Sequence, residues 1–371
     1  MVTQAEAPAR HRRATIHPLR VSSVEPLTSD AVAIEFDIPV DLAEDYDFVQ
    51  GQHVSLRCAE AGDDIRRSYS ICTPAGSGRL RVAVKALPGG VFSAYARDRL
   101  KPGDIVEVVT PTGHFHTPLD PTRARNYVMI AAGSGVTPLL SIMSTVLERE
   151  PLSSVTLIYG NRTVADIMFL EEIEDLKNLY PERFAVYHVL SREEQDVPLF
   201  HGRIDRERLS VFLDCIIEAD AVDEWFLCGP RPMIEAARAL LDERGVDPAH
   251  IHFELFHTET VEAARSRAPV QRPADGAASL SEVTVILDGR SSTFMLDRNG
   301  DCVLDAALRV RSDAPYACKG GVCGTCRAKL VSGTVEMEQH YALEDSELAA
   351  GFVLACQSHP RSDRVVLDFD Q

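Results

Sequence analysis

Four cysteines constrain this chain more than anything else in it. Cys318, Cys323 and Cys326 follow the spacing C-x4-C-x2-C, and Cys356 comes thirty residues later. A fold that uses all four must bring the chain back to the first three. Gly320, Gly321 and Gly324 lie between the sulfurs, so the backbone can approach a bound group with no Cβ in the way. This is the plant-type spacing for a [2Fe–2S] cluster, whose charge is stabilised by surrounding N–H groups. Four cysteines also suit Zn²⁺, but zinc sites more often show two C-x2-C pairs, and here there is one. The cluster is the expected metal group, with Cys318, Cys323, Cys326 and Cys356 as its ligands.

The remaining five cysteines (Cys58, Cys72, Cys215, Cys228 and Cys302) are scattered within apolar patterns. An odd number does not suit a disulfide framework, and the expected compartment is reducing, the cytoplasm. A length of 371 residues leaves room for two or three domains. The net charge of −18 argues against nucleic-acid binding, which favours basic patches. No apolar run reaches the length of a membrane span. Arg10, Arg12 and Arg13 near the N-terminus are followed by no apolar stretch, so the pattern is not that of a secretory signal.

The rhythm of the chain changes twice. Residues 1–14 read as a disordered arm. Over 15–121, short Val- and Ile-rich strands are expected at 31–38, 53–58, 67–72, 80–87 and 105–110. They suggest an antiparallel β-barrel, with one helix starting at Val91. Over 122–260, strands at 127–132, 155–159, 184–190, 225–228 and 250–256 alternate with helical segments. That alternation implies an α/β domain with a parallel sheet. Residues 261–279 are small, polar and Pro-containing, as in a linker. The last segment, 280–371, opens with a hairpin over 283–288 and 292–296, then a helix over 302–309, as in an α+β ferredoxin-like (β-grasp) domain.

Three further motifs carry chemistry. Arg67, Tyr69 and Ser70 fall on one barrel strand, with Arg67 and Tyr69 on the same face. A flavin ring wants an aromatic partner and its phosphates want a guanidinium. Taken alone, the same residues could be an amphipathic strand with an exposed Arg. Gly90, Val91 and Ser93 open a helix and suit a pyrophosphate, or simply a turn with Ser as its cap. Gly133, Gly135, Thr137 and Pro138 connect an apolar strand to a helix, an incomplete dinucleotide fingerprint that still offers a helix start to a phosphate. Cys228 and Gly229 end another buried strand, where ligands of open parallel sheets gather. A plain buried Cys is the competing reading. The lone Trp225 reads as core.

Together these motifs resemble the ferredoxin–NADP⁺ reductase superfamily. With the C-terminal cysteine motif, the chain is similar to the reductase components of bacterial multicomponent oxygenases. The segments 159–163, 201–205, 315–323 and 348–357 resemble, more closely, the reductases of phenylacetyl-CoA epoxidases. Reductases of 3-ketosteroid hydroxylases are the nearest competitor. One departure is Gln50, where the superfamily usually has Pro.

The resemblance implies FAD, a [2Fe–2S] cluster, and NADPH as the electron source, with a diiron oxygenase as the partner. The implied flavin contacts are Arg67, Tyr69, Ser70, Val84, Lys85, Gly90, Val91 and Ser93. Glu254 and Phe256 reach back to the flavin, although interface packing would equally explain Phe256. Gly133, Gly135, Thr137, Cys228 and Gly229 are the implied nicotinamide-nucleotide contacts. Arg162, Ser191 and Arg192 are expected near the 2′-phosphate, and Tyr69, Ser70, Thr137 and Cys228 closest to hydride transfer. FAD is expected rather than FMN because the Gly90 turn provides for a pyrophosphate. An iron–sulfur redox sensor is the alternative from another class, and the nicotinamide motifs weigh against it.

Overall fold

The computed structural model describes residues 15–57, 65–256, 280–343 and 345–371. The expected arm (1–14), the expected linker (261–279) and Cys58 lie outside the described residues.

The first unit is a six-stranded antiparallel sheet in the order β4-β3-β6-β1-β2-β5. Its strands are β1 (Ile16–Thr28), β2 (Ala31–Asp37), β3 (His53–Arg57), β4 (Arg66–Ser70), β5 (Leu80–Lys85) and β6 (Ile105–Val109). A bridge between Ile71 and Val82 joins the two ends, so the sheet closes into a barrel. Closure removes exposed edges and fills the interior with side chains such as Leu19, Ile34, Val54 and Val82. Strand β1 was not anticipated. Pro18 and Pro26 interrupt its pattern, and a register shift between Val21 and Ser23 breaks its alternation. Helix α1 (Val91–Asp98) covers the barrel with Phe92, Tyr95 and Ala96.

The second unit is a five-stranded parallel sheet in the order β11-β10-β7-β8-β9. Its strands are β7 (Asn126–Ala132), β8 (Ser154–Asn161), β9 (Phe184–Leu190), β10 (Glu224–Gly229) and β11 (Ile251–Leu255). Helices α2 (Val136–Arg149), α3 (Leu170–Leu179), α4 (Arg206–Cys215) and α5 (Arg231–Glu243) connect them. The chain reverses between β7 and β10, which places a crevice at their carboxyl ends. Helix α2 has no polar face to speak of. Eleven of its residues are buried, because it lies between this sheet and the barrel. One apolar core accordingly runs across both units, from Ala31, Cys72, Ala83 and Phe115 to Met129, Ile142 and Tyr159. Trp225 is fully buried on the other face of the sheet.

The third unit is a mixed sheet in the order β13-β12-β18-β14-β16 beside a small β15-β17 pair. The strands are β12 (Leu280–Leu287), β13 (Arg290–Asp297), β14 (Arg327–Ser332), β15 (Val335–Met337), β16 (Phe352–Leu354), β17 (Ser358–Pro360) and β18 (Arg364–Asp368). The opening hairpin and the grasp were anticipated; strand β18, whose parallel pairing with β12 makes that grasp, was not singled out. Helices α6 (Val303–Leu308) and α7 (Asp345–Ala349) complete it. Among the described residues, its apolar core draws only on those between Val283 and Phe369.

Candidate functional site

The end of β4 and the start of α1 meet on one side of the barrel. Arg67 is exposed and donates to the Arg66 carbonyl at 2.8 Å. Tyr69 is half-buried, with its ring 5.6 Å from that of Phe92. Burial pushes its phenol up. Ser70 is buried on the opposite side of the strand, as the alternation required, and donates to Glu254 Oε2 at 3.3 Å. Val84 is core, and Lys85 pairs with Asp30 at 3.3 Å. Ser93 does not cap α1; Gly90 holds the cap position. Instead, Ser93 Oγ accepts from the Leu87 N–H and donates to the Gly90 carbonyl, both at 3.2 Å, and so ties the turn shut. A Cβ on Gly90 would meet that hydroxyl at 2.5 Å. Val91, the first residue of α1, is 52% exposed. A bare turn and an open helix start fit an FAD pyrophosphate.

The nicotinamide motif sits at the reversal of the parallel sheet. Gly133–Gly135 form a short 3-10 turn before α2. Gly135 has no alternative, because its Cβ would lie 2.1 Å from the Cys228 carbonyl oxygen. The hydroxyl of buried Tyr159 donates to the Gly133 carbonyl at 3.0 Å and fixes the turn from below. That role for Tyr159 was missed, since its alternation reads only as core. Thr137 donates to the Ser134 carbonyl at 2.9 Å. Cys228 is fully buried, its thiol pushed well up by burial, and Gly229 follows it in β10. Cys228 is in register with Glu254 on β11, so the nicotinamide and flavin motifs share one crevice. Phe256 packs on the core that joins barrel and sheet. The bare turn and the crevice beyond it fit a dinucleotide.

At the neighbouring sheet edge, Arg162 is already engaged. Its Nη2 bonds Asp30 at 2.8 Å across the domain boundary and also bonds Asp166. Ser191 Oγ donates to the Asn161 carbonyl, while Arg192 is exposed and its N–H donates to the Arg162 carbonyl. Of the three residues expected at a 2′-phosphate, Arg192 therefore has the most accessible side chain.

In the third unit the four cysteines converge as two pairs. Cys318 lies within hydrogen-bonding reach of Cys323, and Cys326 of Cys356. Among the described residues no three metal-ligating side chains close around a single ion. Two thiol pairs suit a two-iron group better than one zinc ion. The Gly320 N–H points at Cys318 Sγ at 3.3 Å, the Thr325 hydroxyl lies 3.2 Å from Cys323 Sγ, and Gln357 Nε2 is 3.6 Å from Cys356 Sγ. Such donors offset the charge of cluster sulfur, so the set fits [2Fe–2S]. Cys302, outside the two pairs, lies at the start of α6, its thiol pushed up to about 12 by burial.

Cys323 also approaches the barrel. His53 at the start of β3 is buried and feels the Cys323 charge, as does Glu254, whose carboxyl burial raises to about 8. Around them, Arg66 stacks on the Tyr316 ring at 4.3 Å, and His114 lies 3.6 Å from Glu347. None of these contacts was legible in the sequence. All four join residues far apart along the chain, and no motif marks them.

Comparison with known proteins agrees with the geometry. Family models match for an oxidoreductase FAD-binding domain (residues 18–117), an oxidoreductase NAD-binding domain (129–239) and a 2Fe-2S iron-sulfur cluster binding domain (285–361). The chain is 45% identical to a subunit of the 1,2-phenylacetyl-CoA epoxidase of Escherichia coli (strain K12), over 96% of this chain and 98% of that one. It is 30% identical to the ferredoxin reductase component of 3-ketosteroid-9-alpha-monooxygenase of Rhodococcus rhodochrous, over 95% and 96%. The solved phthalate dioxygenase reductase shares the fold, with a TM-score of 0.55 at 24% identity over 95% of this chain and 98% of that one. No helix among the described residues is long and apolar enough to cross a membrane. The chain is thus a member of the ferredoxin–NADP⁺ reductase superfamily and, within it, of the family of 1,2-phenylacetyl-CoA epoxidase reductases, an NAD(P)H-dependent electron-transfer oxidoreductase built for FAD and a [2Fe–2S] cluster.

Proposed function

We propose that this chain takes electrons from NADPH and delivers them to a diiron oxygenase that epoxidises phenylacetyl-CoA, in the cytoplasm. The observation that carries the reading is the 45% identity to the epoxidase component of Escherichia coli over nearly the whole of both chains. When bound, FAD and the cluster together convert the hydride pair of the nicotinamide into single electrons. The protein supplies geometry. Tyr69 and Ser70 would hold the flavin ring, and Arg67, Gly90 and Ser93, with Val84, Lys85 and Val91 around them, its phosphates. Gly133, Gly135, Thr137, Cys228 and Gly229 would receive the nicotinamide. Glu254 and Ser70 hold one another beside these residues. Ser191 and Arg192 are positioned for a 2′-phosphate; Arg162 serves there only by leaving Asp30 and Asp166. Cys318, Cys323, Cys326 and Cys356 hold the cluster.

The cluster-bearing segment 280–371 carries 14 Asp and Glu against 9 Lys and Arg. An acidic exit surface favours a basic patch on the oxygenase and docking that weakens with salt. The test mixes purified reductase, the other epoxidase components, NADPH, oxygen and phenylacetyl-CoA. Thioester loss in step with NADPH oxidation is expected, with kcat/KM for NADPH above that for NADH and the preference reduced in Arg192→Ala. A second reading, service to a 3-ketosteroid monooxygenase, is favoured by the 30% identity to its reductase. Efficient turnover of that system and not of the epoxidase would establish it.

A further inference from the structure

The ferredoxin-like unit sits on the rest of the molecule without sharing its core. Among the described residues, none before Val283 enters its apolar cluster, whereas barrel and parallel sheet are fused through one. The contacts that seat it include Arg66 on the Tyr316 ring, His114 with Glu347, Arg231 near the Tyr341 ring at 5.9 Å, and His53 beside Cys323. Interfaces of this kind hold a geometry only where a specific contact defines it.

His53 belongs to this set. It is 4% exposed; Thr112 Oγ1 of the barrel lies 3.3 Å from its Nε2, and Glu254 Oε1 on β11 lies 3.8 Å from its Nδ1. Nδ1 itself is buried without a hydrogen-bond partner. Cys323, a cluster ligand, lines one crevice together with His53 and Glu254, and His53 and Cys323 feel one another's charge. Glu254 in turn accepts from Ser70 at the flavin motif. A line of buried polar groups, Ser70–Glu254–His53–Cys323, therefore runs from the flavin motif to the cluster cage. Nothing in the flavin or nicotinamide motifs requires a histidine at position 53, yet His53 shares a crevice with Cys323, Gly324 and Thr325 of the third unit.

We propose that His53 is a positioning residue that seats the Cys323 turn of the ferredoxin-like unit against the flavin site. This deepens the reductase reading and rests on it. With both groups bound, the two electrons of each hydride would pass one at a time from the flavin through the cluster to the acceptor, with one proton released to solvent, and no atom would cross the contact. Electron transfer falls steeply with distance, so a cage that is seated loosely slows this step and not the hydride step before it.

The test uses the full-length holoenzyme and His53→Leu, followed by rapid mixing with NADPH. Flavin bleaching reports the hydride step, and loss of cluster absorption reports the second step. The expected result is cluster reduction slowed by about tenfold or more, with flavin bleaching changed by less than about twofold. The low-temperature electron paramagnetic resonance signal of the dithionite-reduced cluster stays intact, and amide exchange over 321–326 rises. His53→Gln, which keeps a polar side chain, is expected to recover part of the rate. Cluster reduction within about twofold of the parent, or equal slowing of both steps with unchanged amide exchange, overturns the proposal. If His53→Leu fails to fold, Arg66→Gln, at the edge of the same contact, is measured instead. A loss confined to the second step supports the seating role, and an unaffected second step overturns it. Because the readouts need only NADPH and the reductase, they are independent of which oxygenase is served.

Discussion

At the scale of single residues, the structure turns several motif positions into hard constraints. Gly135→Ala puts a methyl group 2.1 Å from a carbonyl oxygen in the neighbouring strand. Backbone cannot move aside as a flexible side chain can, so the cost is expected to be about 3 kcal/mol. Thermal unfolding should register it, together with loss of hydride transfer from NADPH. His116 offers a pH test. Burial pushes its imidazole down to about 4, and its Nδ1 has no partner. The unfolded chain takes up this proton below an ordinary pKa near 6.5, and the folded chain does so only near 4. Stability tied to neutral His116 is thus present above about 6.5 and is lost as pH falls towards 4. Because the ring is partly accessible, His116→Leu should shrink the urea-stability difference between about pH 7.5 and about pH 5 by about 1–2 kcal/mol. An unchanged difference would show that the proton has another sink. What the sequence revealed at this scale was chemistry with a local signature. The spacing of Cys318, Cys323 and Cys326 marks a cluster loop because ligands on one loop must sit at fixed intervals. The partner of His53 is legible only in three dimensions.

At the scale of elements, strands of regular alternation were legible and irregular ones were not. The five barrel strands anticipated between Ala31 and Val109 are each within a few residues of place, whereas β1, with two prolines and a bulge, escaped notice. Helix α2 was found from its apolar spacing. That it is buried nearly all round, between two units, is a tertiary fact that no periodicity states. The turn of Ser93 shows the same limit. A hydroxyl near a helix start reads as a cap, yet it closes the preceding turn. The cysteine elements give the firmest prediction. Cys356→Ser should lose iron and the visible cluster absorption, while Cys302→Ser should keep both. Cys302 faces its own domain's core with its thiol held neutral, its pKa raised to about 12. Iron content and absorption spectra decide it.

At the scale of the whole molecule, the division of cores predicts how the protein comes apart. Barrel and parallel sheet share one apolar core and further ties, such as Arg81 bonded to both Glu25 and Glu172. They are expected to unfold as one cooperative unit, with the cluster domain melting separately. Calorimetry of the holoprotein should resolve two transitions, and chelation of iron should shift only one of them; a single transition would contradict this reading. The same asymmetry bears on recombination between relatives. A crossover placed between the cluster domain and the rest leaves every packed surface with its own parent, so hybrids that exchange the electron exit should survive. One placed between barrel and sheet makes α2 face a stranger across its whole length. Lineages built from such parts would be expected to trade exits freely and to inherit the flavin and nicotinamide halves together.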